Sequence, residues 1–297
     1  MVRLGVGLLY QPALHEFLLT HLDAVDFVEV VPDTLWTDGG EAGTERTESP
    51  AMRSFLERLH PYRPIVPHGI GLSLGSAHRL NEEHLEAMRR WESWLGFPWH
   101  SEHLAFNLAE VGGTEVNLGL MMPLPLDEEM LGLLVERIGV VQHRVAAPFA
   151  LETNADAFRW TQDAYSPAKF LNELCARTAC HVLLDLHNLW ANSRNLGESA
   201  DVFLHELDLS HVIEIHVAGG FEHDGFYFDA HSGPVPEPVW DLLEQVLPRC
   251  ANVRGVTFEL LGSWYEPMGE KRLAEELARL RETWSAAVGR SVLAQPA

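Results

Sequence analysis

Histidine, aspartate, glutamate and asparagine recur in this sequence where short apolar runs stop. His68 closes one run, Glu102 and His103 another, and Glu152 and Asn154 a third. Asp185, His187 and Asn188 end a fourth, His216 and Glu259 end the next two, and Asp229 and His231 lie in the loop between those. Imidazole nitrogens and carboxylate or carboxamide oxygens are the ligands that divalent cations of intermediate hardness prefer. Residues two apart on an extended chain share a face, which puts Glu152 with Asn154, Asp185 with His187 and, if that loop is extended, Asp229 with His231. The same alternation turns Asn188 away unless the strand has already ended, so spacing leaves His187 and Asn188 both open.

Each residue alone has an ordinary structural reading. His68 could be a core histidine bonded to a carbonyl, Glu152 a salt-bridge partner, and Asn154 or Asn188 a turn cap. Their joint occurrence asks for more, because burying four carboxylates at one place is costly without cations. A set rich in imidazole and carboxylate and free of thiolate suits iron, zinc or manganese, and not a structural cysteine-type zinc site. So many donors, with carboxylates able to bridge, imply two or three metals.

Eight β-branched or aromatic runs present these residues: Arg3 to Tyr10, Ala24 to Val31, Pro64 to Leu74, Pro98 to Phe106, Pro148 to Asn154, His181 to Asn188, His211 to Gly219 and Val253 to Leu260. Segments of helical period alternate with them. Asn81 before Glu82 and Glu83, Asp127 before Glu128 and Glu129, and Ser166 before Pro167 are helix starts. Glu237-Pro238 opens another helix, and Lys271 to Val288 reads as a final amphipathic one. Strand and helix repeated eight times predict an α/β fold, a (β/α)8 TIM barrel. A doubly wound open sheet is the competing architecture, but its Gly-rich turn would follow the first strand, whereas Gly5-Val6-Gly7 lies inside it. The polar loops Pro32 to Pro50, Asn107 to Pro125 and Gly219 to Pro238 all follow strands, on the face where barrels carry their sites. The tail Ala294 to Ala297 is expected to fray.

With 297 residues, 46% of them apolar, the chain can form a full core. No linker or repeat interrupts it, so one domain over 1–297, its core about 3–290, is the economical expectation. Acidic residues number 43 against 21 basic ones, for a net charge of -22, which repels phosphate backbones; nucleic acid is not an expected partner. Cys175, Cys180 and Cys250 stand at no metal-ligand or redox spacing, and Cys175 falls on the apolar face of a helix with Phe170, Leu171 and Leu174. The apolar run Leu4 to Leu9 is too short for a signal peptide, and no stretch approaches a membrane span. A cytoplasmic protein without membrane contact is expected.

Taken in order, His68-Gly-Ile-Gly-Leu-Ser-Leu, Ser101-Glu-His-Leu-Ala, Leu184-Asp-Leu-His-Asn, Glu214-Ile-His-Val-Ala-Gly-Gly, Asp229-Ala-His and Thr257-Phe-Glu resemble the motifs of the multinuclear non-haem iron-dependent oxidative enzymes. That family includes the methanobactin-synthesis iron oxidase, and the resemblance runs from Gly5 to about Glu259. It implies a barrel like xylose isomerase and endonuclease IV, two or three iron ions, and dioxygen as co-substrate. The implied substrate is a ribosomally made precursor peptide, often modified at cysteine, presented with the help of a separate leader-peptide-binding partner protein; no such domain is expected within this chain. Residue by residue, the resemblance implies that His68, His103 and Glu152 hold one metal. Glu152 would bridge to a second held by Asp185, His216 and Glu259, and a third would take Asn154, Asp229, His231 and one of His187 or Asn188. Glu152, Asp185 and His216 are then the catalytic heart of the cluster.

Glu102 and Glu214 are candidates to orient ligand histidines, Glu29 and Asp33 have a supporting role, and Trp36, Phe226 and Tyr227 either meet substrate or pack their loops. The chain departs from the family pattern at Glu152-Thr153-Asn154, where many members read Glu-Asn, and at His187, where many have asparagine. Rival functions for such a site are metal-dependent phosphodiester hydrolysis of the endonuclease IV type, sugar isomerisation or epimerisation, and metal storage.

Overall fold

A computed structural model describes residues 2–39 and 45–293. The glycine-rich middle of the Pro32 to Pro50 loop and the expected fraying tail lie outside the described residues. Eight parallel strands follow one another in chain order around a closed barrel: Gly5–Leu9, Phe27–Val30, Ile65–Gly69, His100–His103, Phe149–Glu152, His181–Asp185, Val212–Ala218 and Gly255–Glu259. All eight expected runs supply a barrel strand, and closure excludes the open doubly wound sheet. The strands are almost wholly buried, as strands covered on both faces must be.

Contacts divide the chain into two compact units, one of Met1–Glu29 with Val182–Ala297 and the other of Val30–His181. In the first, Gly5 stands opposite Gly255, Leu9 opposite Glu29, Asp185 opposite His216, and Ala218 opposite Glu259. In the second, His68 stands opposite Ser101 and His103 opposite Glu152. These registers align the polar residues at the carboxyl ends of neighbouring strands within each unit.

The helix starts read from the sequence are real caps. Asn81, Asp127 and Ser166 accept from the backbone N–H groups of His84, Met130 and Lys169, opening the helices Glu82–Leu95, Glu128–Arg144 and Pro167–Thr178. The helix Glu237–Val246 buries Val239, Trp240, Leu243 and Val246, and the last helix spans Glu270–Leu293. Ser49 caps a further helix, Pro50–Leu59, that apolar spacing alone did not single out.

Strand ends differ from expectation for local reasons. The third strand stops at Gly69 and not at Leu74, and the fourth runs only from His100 to His103. The sixth stops at Asp185, whose carboxylate accepts from the Asn188 N–H and so caps a helix, Leu186–Asn195. His187 and Asn188 therefore sit in a first helical turn, and two-residue alternation does not relate Asp185 to His187.

The expected loop Asn107 to Pro125 is instead mostly a hairpin, Phe106–Val111 with Thr114–Met122. Gly112 and Gly113 take φ values of 60° and 79° at its turn, the left-handed pair that a two-residue hairpin loop needs. Asp224 and Gly225, at 50° and 80°, do the same for a hairpin of Phe221–His223 with Phe226–Phe228. Trp36–Gly39 pairs with Glu45–Glu48 after the second strand. All three cysteines are buried and, among the described residues, none is in a disulfide; folding brings Cys175 Sγ within 3.8 Å of Cys180 Sγ, a proximity their spacing does not announce. No helix among the described residues is long and apolar enough to cross a membrane.

Candidate metal centre

In the unit of Val30–His181, His68, His103 and Glu152 end three adjacent strands and converge. Their ligand atoms lie within 4.8 Å of one another. The two Nε2 atoms are 3.2 Å apart, and Glu152 Oε2 lies 3.2 Å from His68 Nε2 and 2.6 Å from His103 Nδ1. Ser101 Oγ is 2.9 Å from His68 Nδ1; the tautomer that donates there leaves the Nε2 lone pair facing His103 and Glu152. Asn154 supports the other imidazole, its Oδ1 2.9 Å from His103 Nδ1 and its amide donating to the Leu104 carbonyl. Burial alone would depress the His103 pKa, but the charge and hydrogen bond of Glu152, with Glu102 and Asn154, push it up to about 9. The attraction that holds a proton there is the one that a cation would use.

In the other unit, imidazoles and carboxylates alternate in a chain. Tyr227 Oη lies 2.9 Å from His187 Nε2, and His187 Nδ1 lies 2.8 Å from Asp229 Oδ1. That oxygen is also 3.3 Å from His231 Nε2, which is 3.3 Å from Glu259 Oε2, itself 3.1 Å from His216 Nδ1. On the far side of the imidazole, His216 Nε2 is 2.9 Å from Glu29 Oε2. One oxygen of Asp229 and one of Glu259 thus each lie between two imidazoles. His231 has a left-handed φ of 44°, unusual for a residue with a side chain and found where a site holds backbone under strain. Asp229 is held below its usual pKa: burial works against this, and His231 and His187 overcome it.

Asp185, also buried, ends the sixth strand opposite His216. His187, Asp229 and His231 form one candidate ligand group, whereas the backbone N–H of buried Asn188 donates to Asp185. Every predicted donor is thus buried or half-buried at a strand end or in the helix or loop that follows one.

The supporting residues separate. Glu29, fully buried, is more closely engaged than its supporting role suggested, since it accepts from or shares a proton with His216; burial raises its pKa well above the usual range, with His216 opposing and Glu214 and Glu259 reinforcing. It is the one charged residue inside an otherwise apolar run, Phe27–Val31, and that is its legible signal. Glu214 accepts from Thr257 Oγ1 and lies 3.8 Å from His216 Nε2, beyond hydrogen-bond distance, while Glu29 takes that nitrogen. Glu102 instead faces His84, 3.6 Å away, and the Leu72 N–H. It neighbours His103 on a strand, so the two point to opposite faces. Burial and Asp33 raise Glu102 to about 7 against the pull of His84. His84, 3.0 Å from Asp33, escaped notice because it sits at a core position of its helix. Tyr227 is buried and packs its loop, as does Trp36, while Phe226 stays exposed.

A closed barrel whose strand ends carry clustered histidines and carboxylates defines a class, the xylose isomerase-like TIM barrels with candidate metal-binding residues. A barrel of that description from Mycobacterium smegmatis, in complex with magnesium, aligns with a TM-score of 0.57 at 13% identity, covering 97% of this chain and 98% of that one. The IOLI protein with a zinc atom aligns equally well, at 0.57 and 13%, covering 96% and 98%. At such identity the likeness is one of fold. Residues 4–283 match the model of the RiPP precursor modification enzymes MbnB/TglH/ChrH, and the chain belongs to that family. A UPF0276 protein of Streptomyces avermitilis is 34% identical over 284 residues, 94% of this chain and 55% of that protein, so the chain spans about half of that relative's length. A UPF0276 protein of Caulobacter vibrioides is 28% identical over 250 residues, 84% of each.

Proposed function

We propose that this chain is a multinuclear non-haem iron enzyme, acting as one catalytic domain in the cytoplasm, that uses dioxygen to oxidise residues, cysteine first, of a ribosomally made precursor peptide. The observation that carries the reading is the shared carboxylate oxygen: Glu152 Oε2 between His68 and His103, Asp229 Oδ1 between His187 and His231, Glu259 Oε2 between His231 and His216. Membership of a peptide-modifying family supports the substrate class. Imidazole and carboxylate without thiolate fit iron.

On this reading His68, His103 and Glu152 would hold one iron, and Asp185, His216 and Glu259 would hold a second. Asp229 and His231 would serve a third with His187 or Asn188; the His187 imidazole, already 2.8 Å from Asp229, favours His187. Bound iron supplies an open position for a thiolate and the electrons that dioxygen takes up. The protein's residues hold it: Ser101 and Asn154 orient the imidazoles of one set, and Tyr227 and Glu29 orient those of the other. A separate leader-binding protein would present the peptide.

Metal analysis of protein purified anaerobically from iron-supplemented cells tests the reading. Two to three irons per chain are expected; stoichiometric zinc that added iron does not displace would move the assignment to hydrolysis.

A further inference from the structure

A cavity of about 390 Å³ opens beside the His68–His103–Glu152 set, within the same unit. Its walls come from the segments after three barrel strands: Asp33 and Arg46 after the second, Ile70 and Gly71 after the third, Asn107 and Glu115 after the fourth. It therefore lies at the end of the strands that carries the candidate ligands. Ile70 and Asn107 also line a crevice with Glu102 and His103, too narrow to admit a water, so the cavity and the ligand set share two wall residues.

The charges in its walls are unequally spent. Arg79 donates to both oxygens of Glu115, at 2.7 and 2.8 Å, and to Glu83 at 3.0 Å. Asp33 takes the Ile70 N–H at 3.0 Å and faces His84 at 3.0 Å. Arg46 differs. Its nearest carboxylate oxygen, on Asp33, is 3.6 Å away, and among the described residues its guanidinium makes no hydrogen bond. It is about one quarter exposed, and among the described residues its donors stay open to a ligand. Asn107 lends shape to the opposite wall, its amide nitrogen fixed on the Ile70 carbonyl.

From this geometry we infer that the cavity is a carboxylate-recognition subsite for the peptide, with the Arg46 guanidinium as its anchor. The planar fork of arginine matches a carboxylate through two parallel N–H donors, and half-burial strengthens the pair. Arg79 is spent on Glu115 and Glu83, which leaves Arg46, 3.6 Å from Asp33, as the cation of the described wall residues that an incoming acid meets. The inference rests on the reading of the chain as a peptide-modifying enzyme, and names what that peptide offers at a fixed distance from the modified residue: an acidic side chain or its own C-terminal carboxylate.

Binding of three short peptides to the full chain as purified tests this, followed by protein-observed NMR. One is acetyl-tetraglycine with a free C-terminus, one is acetyl-Gly-Gly-Asp-Gly amide, and the third is acetyl-tetraglycine amide, which has no acid. At least one acidic peptide should bind about tenfold more tightly than the neutral one, the scale of a charge-assisted hydrogen-bonded pair, and which one wins identifies the source of the carboxylate. Arg46→Gln should abolish that preference while metal content stays at the wild-type level, which separates this site from carboxylate binding at the metals. Arg46→Lys, which keeps the charge and loses the fork, should retain part of it and carries the test if the glutamine variant does not fold. Equal binding of all three peptides, or an unchanged preference in Arg46→Gln, overturns the assignment. Failure of the peptide-modification reading looks different: the acid preference would persist in a protein that holds no iron.

Discussion

At the scale of single residues, the site is a set of imidazoles, of which His68, His103, His187 and His216 are held from behind. His216 illustrates the arrangement, with Glu259 at Nδ1 and Glu29 at Nε2. A carboxylate on the remote nitrogen fixes the tautomer and raises the basicity of the other, and losing such a partner typically costs 10–100-fold in metal affinity. Glu29→Ala is therefore expected to lose metal at roughly tenfold lower chelator concentration than wild type, whereas Glu29→Gln, which still offers an acceptor oxygen, should stay near wild type. Chelator titration followed by metal analysis distinguishes them; equal retention in the alanine variant would show that Glu29 is only packing. Removing a ligand itself is more severe. Asp185→Ala and His216→Ala should each abolish activity and lower the metal content, and full activity in either would sink the cluster assignment.

Between elements, the residue after a strand is tied to the next helix by charge. Asp33 is held down to about 2 although burial opposes this, because His84, the Ile70 N–H and Arg46 favour its charged form. Such a carboxylate stabilises the fold above its unfolded pKa near 3.8 and loses that contribution as pH falls toward 2. His84 is raised, burial opposing and Asp33 with Glu102 prevailing. Its contribution is complete below about pH 6.5 and fades as pH rises through the folded value. Asp33→Asn should thus be destabilised by roughly 2 kcal/mol near pH 5, with the gap closing toward both extremes. Urea unfolding across the pH range checks this, and a pH-independent gap would contradict it.

A second element-scale device is the hairpin that carries Tyr227. At Gly220 a Cβ would stand 2.1 Å from the Phe228 carbonyl oxygen, a backbone atom that cannot turn aside. Gly220→Ala should push the hairpin outward, cost about 1–3 kcal/mol, and weaken metal retention at Asp229 and His231. A thermal melt together with metal analysis would reveal the pair of effects.

For the whole molecule, a net charge of -22 combines with clusters of buried carboxylates. Ligands that bind the folded state alone stabilise it by about 2.7 kcal/mol at a hundredfold excess over the dissociation constant. Stripping the metals should lower Tm by roughly 5–10 °C for a chain of this size, and ferrous iron should restore it. An unchanged Tm after verified metal removal would mean that the clusters are held together by protons alone.

The barrel and the candidate ligands were both legible in the chain, because burial on both faces makes each strand an apolar run and a polar residue at its end breaks the pattern. His68, His103, Glu152, Asp185, His216 and Glu259 were found in that way, and caps such as Asn81 and Asp127 marked the helices between them. Periodicity carries no information across elements, and there the tertiary structure decided. That the chain turns into a helix at Leu186, so that His187 rather than a strand face meets Asp229, depends on Asp185 accepting from the Asn188 N–H. That Glu102 serves His84 and not His103 depends on which face of one strand meets one helix. Glu29 reaches His216 across 187 positions of sequence, a pairing set by strand order in the sheet and by nothing local.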